Sequence, residues 1–244
     1  MCCFSRPVDA VKDTNIFARA AKEGRQFLVY NMQLDAKEEL AMILPLPVPP
    51  NPKEDAVRFI NLEKYPEFFV EMHAGFPVVQ SLRTKAKPGE DNQTLKVVEV
   101  GNFVASFVPT QKDFGRLDPR FRLPGNVWDQ IPVYKDYGFA VFQLKKGKQK
   151  VHPMAFEFPR RDTQKLFFPT VHIHDGKWTP SAEFHHALFC QKSGGEDVAM
   201  WEESQQPVGL FMKKAELSQG ILDADSHCYR VEITGVRKNE DIWV

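Results

Sequence analysis

Along the chain, short runs of branched and aromatic residues alternate with polar breaks. Residues 15–19 and 26–34 are two such runs, and Lys22-Glu23-Gly24 between them predicts a hairpin turn. A third strand over residues 39–44 would make the opening a β-meander. It ends in Pro45-Leu-Pro47-Val-Pro-Pro50-Asn-Pro52, where fixed φ angles and missing donors predict an extended, polyproline-like connector leaving the sheet. Residues 53–76 carry the helical signal: Val57, Ile60, Leu62, Phe68, Phe69 and Met72 recur at spacings near three and four. Pro66 would divide that segment into two short helices.

Further strands are predicted over 94–100 and 103–108, with Gly101-Asn102 turning between them. Residues 113–132, rich in Asp, Gly, Arg and Pro, read as a long ordered loop with one helical turn. Strands follow at 139–144, 151–158, 165–174, 183–191 and 229–234, the basic run 145–150 occupying a hairpin tip. No internal repeat and no long linker interrupts the pattern. The expected fold is therefore α+β: a single β-rich domain over residues 1–244, with antiparallel sheets and a few short helices.

Composition narrows the function classes. Of 244 residues, 43% are hydrophobic and 26% charged, which excludes a disordered or collagen-like chain. Thirty-two basic residues balance 32 acidic ones, so no bulk charge draws the protein to nucleic acid or to an anionic membrane. Cysteines 2, 3, 190 and 228 form neither a CxxC pair nor a disulfide framework. The start lacks the apolar core of a secretory signal, and no stretch is long and apolar enough to span a bilayer. A cytoplasmic protein with no membrane partner is the expectation, its Met1 removed before a small residue.

Chemistry concentrates in two places. Four of the seven histidines fall between positions 172 and 186. On an extended strand His172 and His174 project to the same side, and Asp175-Gly176 then reads as a hairpin turn. Of the adjacent pair His185 and His186, only one can join them, and His186 is the favoured member. Three imidazoles suit copper, iron or zinc. Cys190, four residues past His186, lies too far along a strand to share an ion, whereas on a helix the i, i+4 pair would converge, and the sequence leaves both open. The second place is Cys2-Cys3. With Met1 gone, Cys2 would carry a free amine beside its thiol and could act as nucleophile or chelate, and Cys3 is a candidate metal ligand. The charged loop residues Asp113, Arg116, Asp118, Arg120 and Arg122 read as internal ion pairs. Ser226-His227-Cys228 places neighbours that diverge on a strand. No phosphate-binding glycine loop, HExxH or GxSxG is present.

Two family resemblances touch these residues. The Cys2 start and the residues from Asn15 to Arg19 resemble the choloylglycine-hydrolase branch of the N-terminal nucleophile hydrolases. That resemblance implies Cys2 as nucleophile and Arg19 as the neighbour lowering its pKa. More of the chain, residues 1–175, resembles an uncharacterised bacterial domain family. The resemblance lies in the cysteines near the start, Leu40-Ala-Met-Ile-Leu-Pro45-Leu-Pro47, Val100-Gly101-Asn-Phe103, Tyr137-Gly-Phe-Ala-Val-Phe-Gln-Leu144 and His152-Pro-Met. It implies a shared β-rich fold and no reaction. The functional expectation is a metal-binding protein, using copper, iron or zinc on His172, His174, His186 and Cys3 for redox or hydrolytic chemistry on a small molecule. The alternatives are an N-terminal cysteine amidohydrolase through Cys2 and Arg19, and a non-enzymatic binding module.

Overall fold

The computed structural model describes residues 3–76, 104–123, 127–174, 176–192 and 198–244. The first hairpin forms as its pattern dictates. Strands β1 (Cys3–Phe4), β2 (Ala10–Ala20) and β3 (Arg25–Ala36) open the chain. Between β2 and β3, Glu23 and Gly24 take φ of 56° and 68°. Two consecutive left-handed residues are what a type I′ hairpin turn demands, and Gly24 supplies one without strain.

From there the chain departs from a meander. Strand β4 (Leu40–Leu46) does not continue beside β3. It joins a second sheet in the order β1-β4-β7-β6, with β6 at Val104–Val108 and β7 at Gly138–Leu144. The prolines do not end the strand at once, since Pro45 still pairs opposite Phe139. Pro47 is buried, and its carbonyl accepts from the Arg161 backbone N–H at 2.8 Å, so the connector is bound to the core on that side.

The larger sheet runs β11-β12-β10-β2-β3-β8-β5. Its remaining members are β5 (Arg58–Asn61), β8 (Gly147–Pro159), β10 (Ser181–Gln191), β11 (Glu202–Glu203) and β12 (Tyr229–Lys238). Every pairing is antiparallel except β10 with β2, where His186 aligns with Thr14 in parallel. The antiparallel expectation therefore holds for all but this pair.

Both faces of the large sheet are covered, which explains why its central strands read as continuous apolar runs rather than alternating ones. Ile16, Leu28, Tyr30 and Phe156 face the smaller sheet and pack with Leu44, Phe139 and Phe142 in one core. Phe17, Val29, Ala155 and Phe189 face the opposite way. They pack with Phe68, Phe69 and Met72 of helix α1 (Phe68–Ala74) and with Val208 of helix α2 (Val208–Phe211).

Residues 53–76 thus hold one short strand and one short helix. The helical periodicity of Val57, Ile60 and Leu62 loses to the open edge of β8, where Arg58–Asn61 pairs opposite Met154–Glu157. Glu157 fixes this junction, its carboxylate 2.6 Å from Arg58 and 3.3 Å from Arg25. Only the part after Pro66 is helical, a seven-residue segment too short to persist without the packing beneath it.

Residues 113–132 contain several 3₁₀ turns rather than one, at Gln111–Arg116, Pro119–Phe121 and Trp128–Gln130. The basic run is shortened as a tip, for β8 resumes at Gly147 with φ of 107°. The strand predicted over 94–100 and the Gly101-Asn102 turn lie outside the described residues. Among the described residues no helix is long and apolar enough to cross a membrane.

Phe156 touches both core sheets, with ring centres 6.1 Å from Phe59 and 5.9 Å from Phe142, and it is fully buried. Phe156→Ala is expected to lower the unfolding free energy by about 3–5 kcal/mol, read by urea denaturation. A loss below about 1 kcal/mol would mean that the two sheets do not pack through this ring.

Candidate functional site

The stretch predicted as a strand over 165–174 is extended yet scarcely paired. It has a two-residue ladder, β9 (Phe167–Phe168) with β13 (Ile242–Trp243), and a single parallel bridge between Cys3 and Ile173. What keeps it straight is a strap from the C-terminal residues on one side and β1 on the other. The Asn239 carboxamide brackets His172, accepting from its N–H at 2.7 Å and donating to its carbonyl at 3.0 Å. Asp241 accepts from the N–H groups of Thr170 (2.8 Å) and Val171 (3.1 Å) and from the Tyr134 hydroxyl (2.6 Å). On the far side the Phe4 N–H donates to the Ile173 carbonyl at 2.9 Å.

An extended backbone puts residues i and i+2 on one side. His172 and His174 accordingly stack, with ring centres 5.4 Å apart and planes 17° from parallel. They face β10, whose even-numbered residues point into the main core: Leu188 and Cys190 lie in it, while Ala187 and Phe189 belong to the opposite face. His186 therefore meets the pair, its ring 5.1 Å from that of His172, and Phe184 packs at 4.3 Å. His185 points away, with its Nε2 3.4 Å from Glu183 and most of its side chain in solvent. The predicted trio is brought together, with His172 as its shared member. The predicted hairpin is not what does it, because β10 pairs with β12 and β2 rather than with the 165–174 segment.

Burial sets the charge of this cluster. Desolvation pushes His172 down to about 2, with the neighbouring His174 adding to it, and lowers His186 further. Both rings are neutral at physiological pH. The Nε2 atom of His172 is buried with no hydrogen-bond partner. Among the described residues no group of three or more His, Cys, Asp or Glu side chains is already disposed to hold a metal ion.

Asp241 titrates in the opposite sense. Desolvation pushes its carboxyl up to about 6 even though it accepts three hydrogen bonds. The sequence offered no marker for Asn239 or Asp241, since a polar pair after a strand reads as an ordinary loop.

The cysteine end is arranged differently from expectation. In a parallel bridge, aligned residues project to the same side, so Cys3 sides with Ile173 and turns away from His172 and His174. Both Cys3 and Ile173 are buried in the main core, while Phe4, on the other side, reaches His174 at 5.8 Å. Cys2 lies outside the described residues, as does Asp175. Arg19 shares the Phe17 side of β2, facing the helices, so the large sheet separates it from Cys3. Its guanidinium is engaged with the carbonyls of Ile221 (2.6 Å) and Gly220. Burial raises the thiol of Cys190 to about 12 and lifts that of Cys228 well above its usual range, which keeps both protonated.

The charged loop residues form ion pairs within the loop, Arg116 with Asp113 and Arg120 with Asp118, and also beyond it, Arg116 with Glu54 and Arg120 with Glu39. Arg122 caps the Leu117 and Gly115 carbonyls. His227 bonds the Ser204 carbonyl at 2.8 Å rather than its neighbour Cys228. A second histidine site, absent from the sequence reading, lies where α1 meets a bulge in β2. There a polar cleft of about 290 Å³ is lined by His73, Asn15, Asp13, His185 and Glu232, with His73 Nε2 2.8 Å from Asn15 Oδ1.

These elements define a class: a large mixed sheet sandwiched between a small antiparallel sheet and two short helices, with the 165–174 segment held between a C-terminal strap and β1. No family model matches the chain. Among solved structures it is similar to baculovirus P35, with a TM-score of 0.59 at 14% identity over 99% of this chain and 98% of that one. A mutated baculovirus P35 solved after caspase cleavage gives a TM-score of 0.50 at 13% identity, covering 95% of this chain and 99% of that one. The likeness is one of fold.

The buried neutral histidines give a pH test. A histidine whose folded pKa is depressed contributes stability above its unfolded value of about 6.5, and loses about 1.4 kcal/mol per pH unit below it. Between pH 6.5 and 4.5 the unmodified chain should therefore lose about 2–3 kcal/mol more unfolding free energy than His186→Gln. Asp241 contributes the opposite slope to both chains and cancels in the difference. Equal pH slopes in denaturant unfolding would show that His186 is solvated.

Proposed function

We propose that this chain acts as a protein ligand of a caspase-class cysteine protease, bound and cut by it, rather than as an enzyme in its own right. The observation that carries the reading is the end-to-end fold likeness to baculovirus P35, one form of which was solved after caspase cleavage. The side chains of the chain itself are in keeping with it. Arg19 spends its donors on backbone carbonyls, and the thiols of Cys190 and Cys228 are held protonated. Two clefts among the described residues, of about 170 and 290 Å³, sit at or below the lower end of the roughly 300–1,000 Å³ range of small-molecule pockets. A doubly covered sheet with large aromatic cores also suits a protein that must hold its shape while a protease works on it.

The test is direct. The full chain is incubated with each of a panel of active caspases and followed by intact mass and by size-exclusion chromatography. One discrete cut by at least one of them is expected, with the fragments still eluting together at the position of the folded chain. No cut and no co-elution with any panel member, or degradation into many fragments, would overturn the reading.

A further inference from the structure

We propose that His172, His174 and His186 are a binding site for a single divalent transition-metal ion of the zinc class, which would tie the 170–174 segment to β10. An imidazole bound to zinc holds its nitrogen about 2.0–2.1 Å from the ion, so two such rings at a tetrahedral angle have centres roughly 5 Å apart. The two separations around His172, 5.4 Å to His174 and 5.1 Å to His186, already have that value. His172 is only 7% exposed, and its Nε2 makes no hydrogen bond. A buried polar nitrogen left in this condition costs free energy that a ligand would recover.

The rings do not yet converge on one point. Their backbones are nevertheless fixed on every side, by Asn239 at His172, by Phe4 at Ile173, and by the β2 and β12 ladders at His186. Closing the site would turn the rings, chiefly to open the stacked His172 and His174 pair. The donors suit the ion class: three imidazoles, with the Cys3 thiol on the other side of the segment. A fourth position would remain open for water.

Such an ion would join two stretches of chain whose rings already touch. Because Ile173 lies between two of its ligands and bridges to Cys3, the ion would also secure β1. The proposal is independent of the protease reading.

Untagged full-length chain, stripped with a chelator and dialysed, is titrated with zinc chloride by calorimetry beside His172→Gln, His186→Gln and, as control, His185→Gln. One equivalent should bind. Affinity should fall at least roughly tenfold in the first two variants and stay unchanged in the third. Cobalt(II) in place of zinc should give the strong visible absorption of a four-coordinate site. Absence of zinc uptake by the unmodified chain, uptake that survives both cluster substitutions, or equal loss in His185→Gln overturns the proposal. If circular dichroism shows the glutamine variants unfolded, the cobalt spectrum of the unmodified chain decides, a weak six-coordinate spectrum counting against the site.

Discussion

The central strands of the seven-stranded sheet are buried on both faces, and that single constraint organises the rest of the molecule. A sheet with one wet face needs one apolar residue in two; this one needs both, so β2, β3 and β8 carry bulky side chains at successive positions. Two separate layers must then exist to cover them. The small sheet supplies one, and the short helices α1 and α2 supply the other. Neither helix is long enough to stand alone, and neither core would close without the strands between them. Polar groups inside this sandwich are tolerated where they are matched, as with Glu157 between Arg25 and Arg58, or where they are discharged, as with the buried histidines.

How much of this is legible in the sequence follows from what is local. The hairpin between β2 and β3 is written in Glu23-Gly24 and in the runs on either side. The α+β class follows from the same alternation of runs and breaks. The separation of His185 from His186, one inward and one outward, follows from strand geometry alone, and so does the pairing of His172 with His174.

The misread parts are decided by distant partners. Residues 58–61 have a helix-like spacing and become a strand because β8 offers them an edge about a hundred positions away. β4 follows β3 in sequence but belongs to another sheet, because Leu40–Leu46 pairs with Gly138–Leu144. The 165–174 segment is straight because Asn239 and Asp241 hold it, and no pattern within the segment foretells them. Cys3 looked available beside the histidines, yet alignment with an isoleucine sends its thiol the other way.

The parallel contact between β2 and β10 has a consequence for how the molecule comes into being. Thr14 and His186 are neighbours in the sheet and about 170 residues apart in the chain. At ribosomal speeds of roughly 5–20 residues per second, the first hairpin waits on the order of ten to thirty seconds for its flank to be synthesised. During that interval one whole edge of β2 offers unpaired amides and carbonyls to whatever is nearby. Contacts this remote in sequence also form slowly once the chain is complete, since loop closure precedes any reward from burial. A growing chain of this design is therefore most exposed to mispairing before its final quarter emerges, a hazard of its birth that the finished sheet no longer displays.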